Sequence, residues 1–119
     1  MKEKNKRCGK IADLIKRELA DLFTLYKYKL HDERLHDVHI VDVEISGGYA
    51  SAEVFYFVES TDELKKIDAL LQKAKGFLRH YVSQRVALRV VPELRFTYDA
   101  SIKQGLRMQH LLDETLNEA

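Results

Sequence analysis

The chain has 119 residues, of which 45% are hydrophobic and 33% are charged, and its formal net charge is +1. This length fits one domain, and the hydrophobic fraction can form a core, so global disorder is excluded. The longest apolar run, residues 54–58, is far shorter than the ~20 residues that span a bilayer, and the charged N-terminus has no apolar segment behind it that would act as a secretory signal. A single cysteine, Cys8, cannot form an internal disulfide, which fits the reducing cytoplasm. We therefore expect one cytoplasmic domain.

Apolar residues recur at helical spacing through the N-terminal segment, with charged residues between them. They are Ile11, Leu14, Ile15, Leu19, Leu22, Phe23 and Tyr26. This pattern predicts an amphipathic helix over residues 6–26.

A period of two follows the first helix. The alternating apolar residues are Val41, Val43 and Ile45. They predict a half-buried strand over residues 38–46. Gly47-Gly48 indicates a hairpin turn, because glycine tolerates positive φ. A second strand, with Ala50, Ala52, Val54 and Tyr56 on one face, is expected to pair antiparallel with the first.

A second helical segment begins near Ser60, which has capping-box spacing to Glu63. Its apolar stripe runs through Leu64, Ile67, Leu71, Ala74, Leu78, Tyr81, Val82 and Val86. Ala74-Lys75-Gly76 interrupts it, and a glycine inside a helix costs about 1 kcal/mol relative to alanine. The segment is therefore predicted to be two helices that meet at a kink.

The C-terminal third predicts strand segments over Leu88–Val91 and Leu94–Tyr98. Pro92 between them lacks a backbone donor and favours a sheet edge or a bulge. Asp99-Ala100-Ser101 can cap a last short helix, whose apolar residues are Ile102, Leu106, Met108, Leu111, Leu112 and Leu116. The order helix, strand, strand, helix–kink–helix, strand, helix predicts an α+β fold, with helices on one face of a three-stranded sheet. The pattern leaves the strand order open.

Spacing gives no support for catalytic, metal or cofactor chemistry. His36 and His39 are three residues apart near a strand, so they point to opposite faces and cannot chelate one metal. Gly9-Lys10 lacks the other residues of a phosphate-binding loop, and Gly47-Gly48 lies in a hairpin instead of at a strand-to-helix junction. No nucleophile with a nearby base is evident. We expect no enzyme activity, no cofactor and no metal.

The small net charge conceals zones of opposite sign. Residues 1–29 carry nine basic and four acidic side chains, a net of +5, and residues 30–64 carry one basic and nine acidic, a net of −8. Residues 65–107 carry ten basic and three acidic, a net of +7, and residues 108–119 carry three acids and no base. Asymmetry of this kind indicates a partner that binds one face electrostatically.

The basic zones predict a cationic surface for a phosphate backbone. Its candidate RNA-binding residues are Lys4, Lys6, Arg7, Lys10, Lys73, Lys75, Arg79, Arg85, Arg89 and Arg95. The competing interpretation is that lysines merely solubilise helix surfaces, but the second zone has few acids to form ion pairs along a helix. The aromatic residues Phe77, Tyr81 and Tyr98 follow the core stripe, so backbone and shape recognition is favoured over base stacking.

The segment Arg89–Ser101, with its Pro92-Glu93-Leu94, resembles the third strand of the bacterial ribosome-binding factor A family and the exit from that strand. Gly105–Met108 and Leu111-Leu112 continue the match. Ala74–Arg79 is similar to the family's Ala-x-Gly kink and the helix that follows it.

Two segments depart from the family pattern. Asp32–Leu35 resembles the segment before the first strand, with Glu33 where a proline is usual. Ser46-Gly47-Gly48-Tyr49 stands where the family shows Ser-x-Asp-Leu, so the acidic hairpin residue is missing.

The resemblance implies a type II KH-like fold in which the Ala-x-Gly kink, here Ala74, Lys75 and Gly76, replaces the GXXG loop of KH domains. Residues 1–100 would form the RNA-binding domain and 101–119 a short helical extension of it. It further implies a late assembly factor that binds the immature small (30S) ribosomal subunit and its 16S rRNA, assists 5′-end processing, matters in the cold and is monomeric when free. No membrane and no small-molecule substrate are expected.

A second function stays open from the charges alone. The acidic hairpin, with Asp42, Glu44 and Glu53, could dock a basic protein of the ribosome, and the basic zones would then only solubilise the chain. If the basic zones bind RNA instead, the acidic hairpin is expected to face away from the RNA.

Overall fold

A computed structural model describes residues 6–46, 48 and 50–101, with side chains from residue 9 onward. Lys4 and the predicted last helix lie outside the described residues, as does all but the first residue of the 101–119 extension. The described elements are α1 (Lys6–Thr24), β1 (His39–Ile45), β2 (Ser51–Phe57), α2 (Leu64–Lys73), α3 (Lys75–Arg85) and β3 (Glu93–Tyr98). Two short 3-10 helices, Lys27–Lys29 and Glu33–Asp37, connect α1 to β1. None of the helices in this part of the chain is long and apolar enough to cross a membrane.

The three strands form one mixed sheet in the order β1-β2-β3. β1 and β2 pair antiparallel, with Val43 opposite Val54, as the hairpin pattern predicted. β3 pairs parallel to β2, with Phe96 opposite Val54. A bulge between Ile40 and Asp42 shifts the register at the start of β1.

All three helices cover the same face of the sheet. The core-side positions alternate along the strands, and the opposite positions are exposed or half-buried except Phe57, which is the pattern of a sheet packed on one side. Phe57 is buried at the end of β2, where its ring lies 6.2 Å from that of Tyr98. A single core cluster joins Ile15 and Leu19 of α1, Leu71 of α2 and Leu78 of α3 to this face. Its strand residues are Val43, Ala52, Val54, Tyr56, Leu94 and Phe96. The predicted α+β class is confirmed.

The predicted kink is confirmed, but the break lies at Ala74. This residue ends α2 and begins α3 with φ −82° and ψ −2°. Gly76 lies inside the first turn of α3, and a Cβ built on it meets nothing within 4 Å. The kink therefore needs no glycine backbone, and Gly76 leaves an open surface at the start of α3.

Two sequence predictions in this region are wrong. Ser60 and Glu63 do not form a capping box, because the Ser60 hydroxyl accepts from the Asp62 amide and α2 begins only at Leu64. Leu88–Val91 is not a strand but an irregular connection. β3 begins after Pro92, where the Glu93 amide donates to the Ala50 carbonyl and starts the parallel pairing.

One side-chain hydrogen bond ties the sheet to α2. The hydroxyl of Tyr56, a fully buried side chain, donates to Asp68 Oδ1 at 2.8 Å. Burial, and then the hydrogen bond to the Asp68 carboxylate, raises the pKa of Tyr56 above its usual range. Both causes favour the protonated phenol in the folded protein.

Tyr56→Phe is expected to lower the free energy of unfolding by about 1–2 kcal/mol near neutral pH, because Asp68 loses its donor. The folded protein holds the Tyr56 proton to higher pH than the unfolded chain, so the wild type loses stability as pH rises above about 10. The variant lacks this loss, so the difference in free energy of unfolding between wild type and variant should narrow above about pH 10. Urea unfolding from neutral to alkaline pH measures both effects, and a constant difference would contradict the assignment.

Candidate nucleic-acid interface

The helices α2 and α3 carry the densest positive charge of the described chain. Their basic residues, called here the helix-pair cations, are Lys65, Lys66, Lys73, Lys75, Arg79 and Arg85. Asp68 is the one acid between Leu64 and Arg85, and it is half-buried and engaged by Tyr56. Six cations against one acid give this helix pair a net charge of +5, and the acid is directed to the sheet. The outward surface of the pair is therefore cationic, as a phosphate-binding surface requires.

The face of the sheet that none of the described helices covers has the opposite charge. Its side chains, called here the open sheet face, are His39, Asp42, Glu44, Ser51, Glu53, Phe55, Phe57, Glu93, Arg95 and Thr97. Four acids and one arginine give it a net charge of −3. Glu44 and Glu53 are cross-strand partners, so two like charges stand opposite each other, an arrangement that disfavours a phosphate backbone and costs some stability. Asp42, at the edge strand β1, lies 4.0 Å from Lys16 Nζ of α1, whereas Glu44, Glu53 and Glu93 are exposed.

The structure divides the sequence-predicted RNA-binding residues among several places. Lys73 and Lys75 flank the Ala74 break, where Lys73 is exposed and Lys75 is half-buried. Arg89 is exposed in the connection between α3 and β3, and Lys10 is exposed on α1. Lys6 and Arg7 lie within α1, with side chains outside the described part. The candidates with described side chains are therefore spread over the three helices, the connection between α3 and β3, and β3 itself.

Arg95 stands apart from the other candidates. It lies on the open sheet face, and its cross-strand partner is Glu53, whose carboxylate also accepts a hydrogen bond of 3.0 Å from Thr97. The neighbours Leu94 and Phe96 are buried on the helix side, and alternation along a strand sends Arg95 the other way. Arg95 and the helix-pair cations therefore lie on opposite sides of the sheet.

Arg79 is held by the chain itself. Its Nε and Nη2 donate to the Val91 carbonyl at 3.1 and 2.6 Å, so α3 is tied to the connection that leads into β3. A guanidinium has five N–H donors, and two of them are used here. The remaining donors are available to a phosphate while the side chain stays anchored.

Arg79→Ala is expected to lower the free energy of unfolding by about 1–2 kcal/mol, because the Val91 carbonyl loses both of its charged donors. The connection between α3 and β3 should also exchange its amide hydrogens faster, since its tie to α3 is gone. Chemical denaturation and hydrogen exchange measure these effects. Ser83→Ala, an exposed change on the same helix, is the control, and equal losses in both variants would refute the role of Arg79.

Arg85 belongs to a cluster of aromatic rings and cations at the other end of α3. Its Cζ lies 4.8 Å from the ring centroid of Tyr81 and 5.6 Å from that of Tyr26. Lys29 Nζ lies 5.3 Å from the Tyr26 centroid and 5.6 Å from the Tyr81 centroid. All four distances fall within the range of cation–π attraction. Burial raises the pKa of Tyr81, and Arg85 partly opposes this rise.

The sequence reasoning missed this cluster, although two signals were present. Tyr81 and Arg85 are four residues apart on a helix, the spacing at which side chains meet. Tyr26 and Tyr28 alternate with Lys27 and Lys29, which interleaves aromatic and basic side chains. The prediction that Tyr81 belongs to the core is confirmed, since the residue is 7% exposed. The same prediction is wrong for Phe77, which is 42% exposed because it lies on the outward side of α3.

Arg34 is not part of the cationic surface. Its Nη2 lies 3.0 Å from Asp32 Oδ2, and its Nε donates to Oδ1 of the same carboxylate. The hydrogen bonds from Arg34 lower the pKa of Asp32. This local pair shapes the 3-10 turn before β1 and leaves the acidic zone with no free arginine in that segment.

A cavity of about 700 Å³ opens where the 3-10 turn, β1 and the start of α2 meet. Its lining residues are Lys27, His36, Asp37, His39, Glu59, Ser60, Asp62, Glu63 and Ile67. Four acids against one lysine make it unsuited to phosphate. Over residues 6–46, 48 and 50–101, no group of histidine, cysteine and carboxylate side chains is arranged to hold a metal ion.

Comparison with known proteins supplies the family. A family model described as Ribosome-binding factor A matches residues 7–112. The chain is 41% identical over 112 residues to the ribosome-binding factor A of Methylobacillus flagellatus, covering 92% of this chain and 85% of that one. The crystal structure of ribosome-binding factor A from Thermus thermophilus superposes with a TM-score of 0.67 at 23% identity, covering 76% of this chain and 93% of that one.

A further structural relative comes from a ribosomal complex. It is a homology model of the Thermus thermophilus factor, fitted into a cryo-EM map of a 30S complex. Its TM-score is 0.55 at 19% identity, and the match covers 73% of this chain and 93% of that one. At such identities both Thermus structures establish the fold alone, whereas the family model and the Methylobacillus relative establish descent. The chain is a member of the ribosome-binding factor A family.

Proposed function

We propose that this protein is a non-enzymatic assembly factor that binds the immature small ribosomal subunit through the helix-pair cations. One observation carries the proposal: charge is separated across the fold, with +5 on the α2–α3 layer and −3 on the open sheet face. A phosphate backbone is attracted to the first and repelled by the second, so the chain can dock in one orientation. Family membership supports the same partner, because a relative's complex contains the 30S subunit.

The proposed RNA is 16S rRNA in a state that precedes maturation. A factor that binds the immature conformation more tightly than the mature one shifts the equilibrium between them by the difference in binding free energy. The proposal includes assistance to 5′-end processing and a stronger requirement in the cold, as the resemblance to the family implies. Release is then a loss of affinity on maturation and needs no catalysis by this chain.

Co-sedimentation with immature and mature small subunits across a salt series tests the proposal. We expect tighter binding to immature subunits and an affinity that falls steeply between about 50 and 200 mM salt, because binding releases counterions from RNA. Equal binding to both kinds of subunit, or an affinity that salt does not change, would contradict it.

The acidic surfaces favour a second candidate, a module that docks a basic ribosomal protein. Glu44 and Glu53 stand opposite each other on the open sheet face, and the acidic cavity adds Glu59 and Glu63. Glu44→Gln combined with Glu53→Gln distinguishes the candidates. The protein-docking function predicts a loss of subunit binding in this variant, whereas the RNA-binding function predicts binding equal to or tighter than that of the wild type.

A further inference from the structure

The segment that follows α1 presents an aromatic ring to solvent. Tyr28 lies in the 3-10 helix Lys27–Lys29, and its side chain is 73% exposed. Its ring meets the Tyr26 ring edge-to-face, with centroids 6.3 Å apart and planes at 73°. Such a contact holds the Tyr28 ring in place by its neighbour and leaves ring surface free.

Cation–π contacts anchor Tyr26, the residue against which the Tyr28 ring packs. Tyr26 is held by Lys29 and Arg85, and the same two cations hold Tyr81, which is buried in the core cluster. The chain of contacts therefore runs from the core through Tyr81 to Tyr26 and out to Tyr28. A ring held in this way loses little conformational entropy when a flat ligand stacks on it.

The charge around Tyr28 favours a nucleic acid over a protein segment as that ligand. Lys27 and Lys29 flank it in sequence, and residues 22–31 contain no acid. Lys27 also lines the acidic cavity, so the cations that favour RNA beside Tyr28 are Lys29 and Arg85, which both contact Tyr26. Glu18 and Asp21 of α1 lie near Tyr81 but precede this segment. Exposed aromatic rings interleaved with cations are the arrangement that single-stranded nucleic acids use, in which bases stack on the rings and phosphates contact the cations.

The position also continues the helix-pair cations. Arg85 is one of them and at the same time contacts Tyr26. An RNA strand held along α2 and α3 would thus reach the 3-10 helix without crossing the open sheet face. No acid of the pair interrupts the path, since Asp68 is engaged by Tyr56.

We propose that Tyr28 stacks on an unpaired base of the bound RNA, while Lys29 contacts an adjoining phosphate. The inference rests on the proposed function, because it takes the same RNA-binding surface and adds a base-stacking subsite to it. It also revises the expectation that this chain contacts only backbone and shape. Stacking tolerates any base, so the subsite selects unpaired RNA over duplex without selecting a sequence.

The test uses a single-stranded RNA of about ten nucleotides that carries the fluorescent base 2-aminopurine, whose emission is quenched on stacking. Tyr28→Leu should abolish the quenching and weaken RNA binding about tenfold, the range found when a stacking aromatic residue is removed. Tyr28→Phe keeps the ring and should behave as the wild type. Leu25→Ala, a similarly solvent-exposed position three residues earlier, is the control and should change nothing.

The outcomes separate the subsite from the proposed function. If the wild type binds the RNA in a salt-dependent manner and Tyr28→Leu quenches the 2-aminopurine emission as strongly as the wild type does, the subsite is refuted and the proposed function stands. If Tyr28→Leu loses only co-sedimentation with subunits, the ring contacts a ribosomal protein and the stacking proposal is overturned. If the wild type binds neither RNA nor subunits, the proposed function itself fails and the subsite with it.

Discussion

Replacing Lys66, Lys73 and Lys75 together with glutamate is expected to lower the affinity for immature small subunits on the order of 100-fold at moderate salt. Each side chain is a cation of the helix pair, and a phosphate contact by a charged group contributes about 1 kcal/mol or more. The slope of log affinity against log salt should fall by about 2–3, because three contacts are lost at about 0.7–0.9 each. Sedimentation with subunits across a salt series measures both quantities.

This triple variant is designed to leave the fold intact. Arg79 and Arg85 are kept, because Arg79 ties α3 to Val91 and Arg85 holds two tyrosine rings. A glutamate in the first turn of α3, at position 75, is favourable to the helix dipole, and the one at position 73 costs only a few tenths of a kcal/mol at the end of α2. The midpoint temperature of thermal unfolding should therefore differ from that of the wild type by a few degrees at most. An unchanged subunit affinity in a folded variant would remove the helix pair from the interface.

Leu78→Ala is expected to lower the free energy of unfolding by about 3–4 kcal/mol, the largest single-residue effect we predict. Leu78 is fully buried where α3 meets the sheet. Truncation of a leucine at such a site removes its transfer free energy and leaves a cavity that the neighbours fill only in part. The total free energy of unfolding of a domain is about 5–15 kcal/mol. The variant should therefore unfold at a much lower urea concentration than the wild type.

Gln84→Ala is the matched control for this prediction. Gln84 lies on the same helix and is exposed. Alanine, which replaces it, has the best helix propensity of all residues. It should alter stability by less than about 0.5 kcal/mol. A loss below about 1 kcal/mol in Leu78→Ala would show that α3 does not pack on the sheet as described.

The elements of the fold were predictable from local patterns, whereas the pairing of β3 was not. Alternation placed Val43 and Val54 on one face of their strands, and the structure pairs them. The parallel pairing of β3 with β2 joins residues about forty positions apart, and no local spacing encodes such a register. Pro92 was predicted to favour a sheet edge or a bulge, and it lies directly before the edge strand β3. Leu88–Val91 before it forms no strand, because β-propensity yields to the available pairing partners.

The candidate site was predictable in composition and only partly in geometry. The basic zone identified the helix pair, and the structure directs its lone acid, Asp68, toward Tyr56, a contact that spans twelve residues. The position of Arg95 on the open sheet face was predictable from sequence, since alternation with Leu94 and Phe96 places its side chain on the opposite face of β3. The tyrosine cluster depends on the approach of the 3-10 helix to α3, which is a tertiary contact and leaves only weak traces in sequence.

The most direct test compares two variants that lower the net charge equally but at opposite faces. Lys73→Gln with Lys75→Gln removes two positive charges beside the Ala74 break. Arg95→Glu replaces one positive charge with a negative one and so lowers the net charge of the open sheet face by two. We expect the first variant to weaken binding to immature small subunits about tenfold or more and to lower the salt slope by about 1.5–2. The second should bind within about twofold of the wild type, because its side chain lies away from the phosphate-binding surface. Equal losses in the two variants would show that total charge governs binding, and a larger loss in Arg95→Glu would place the RNA on the sheet.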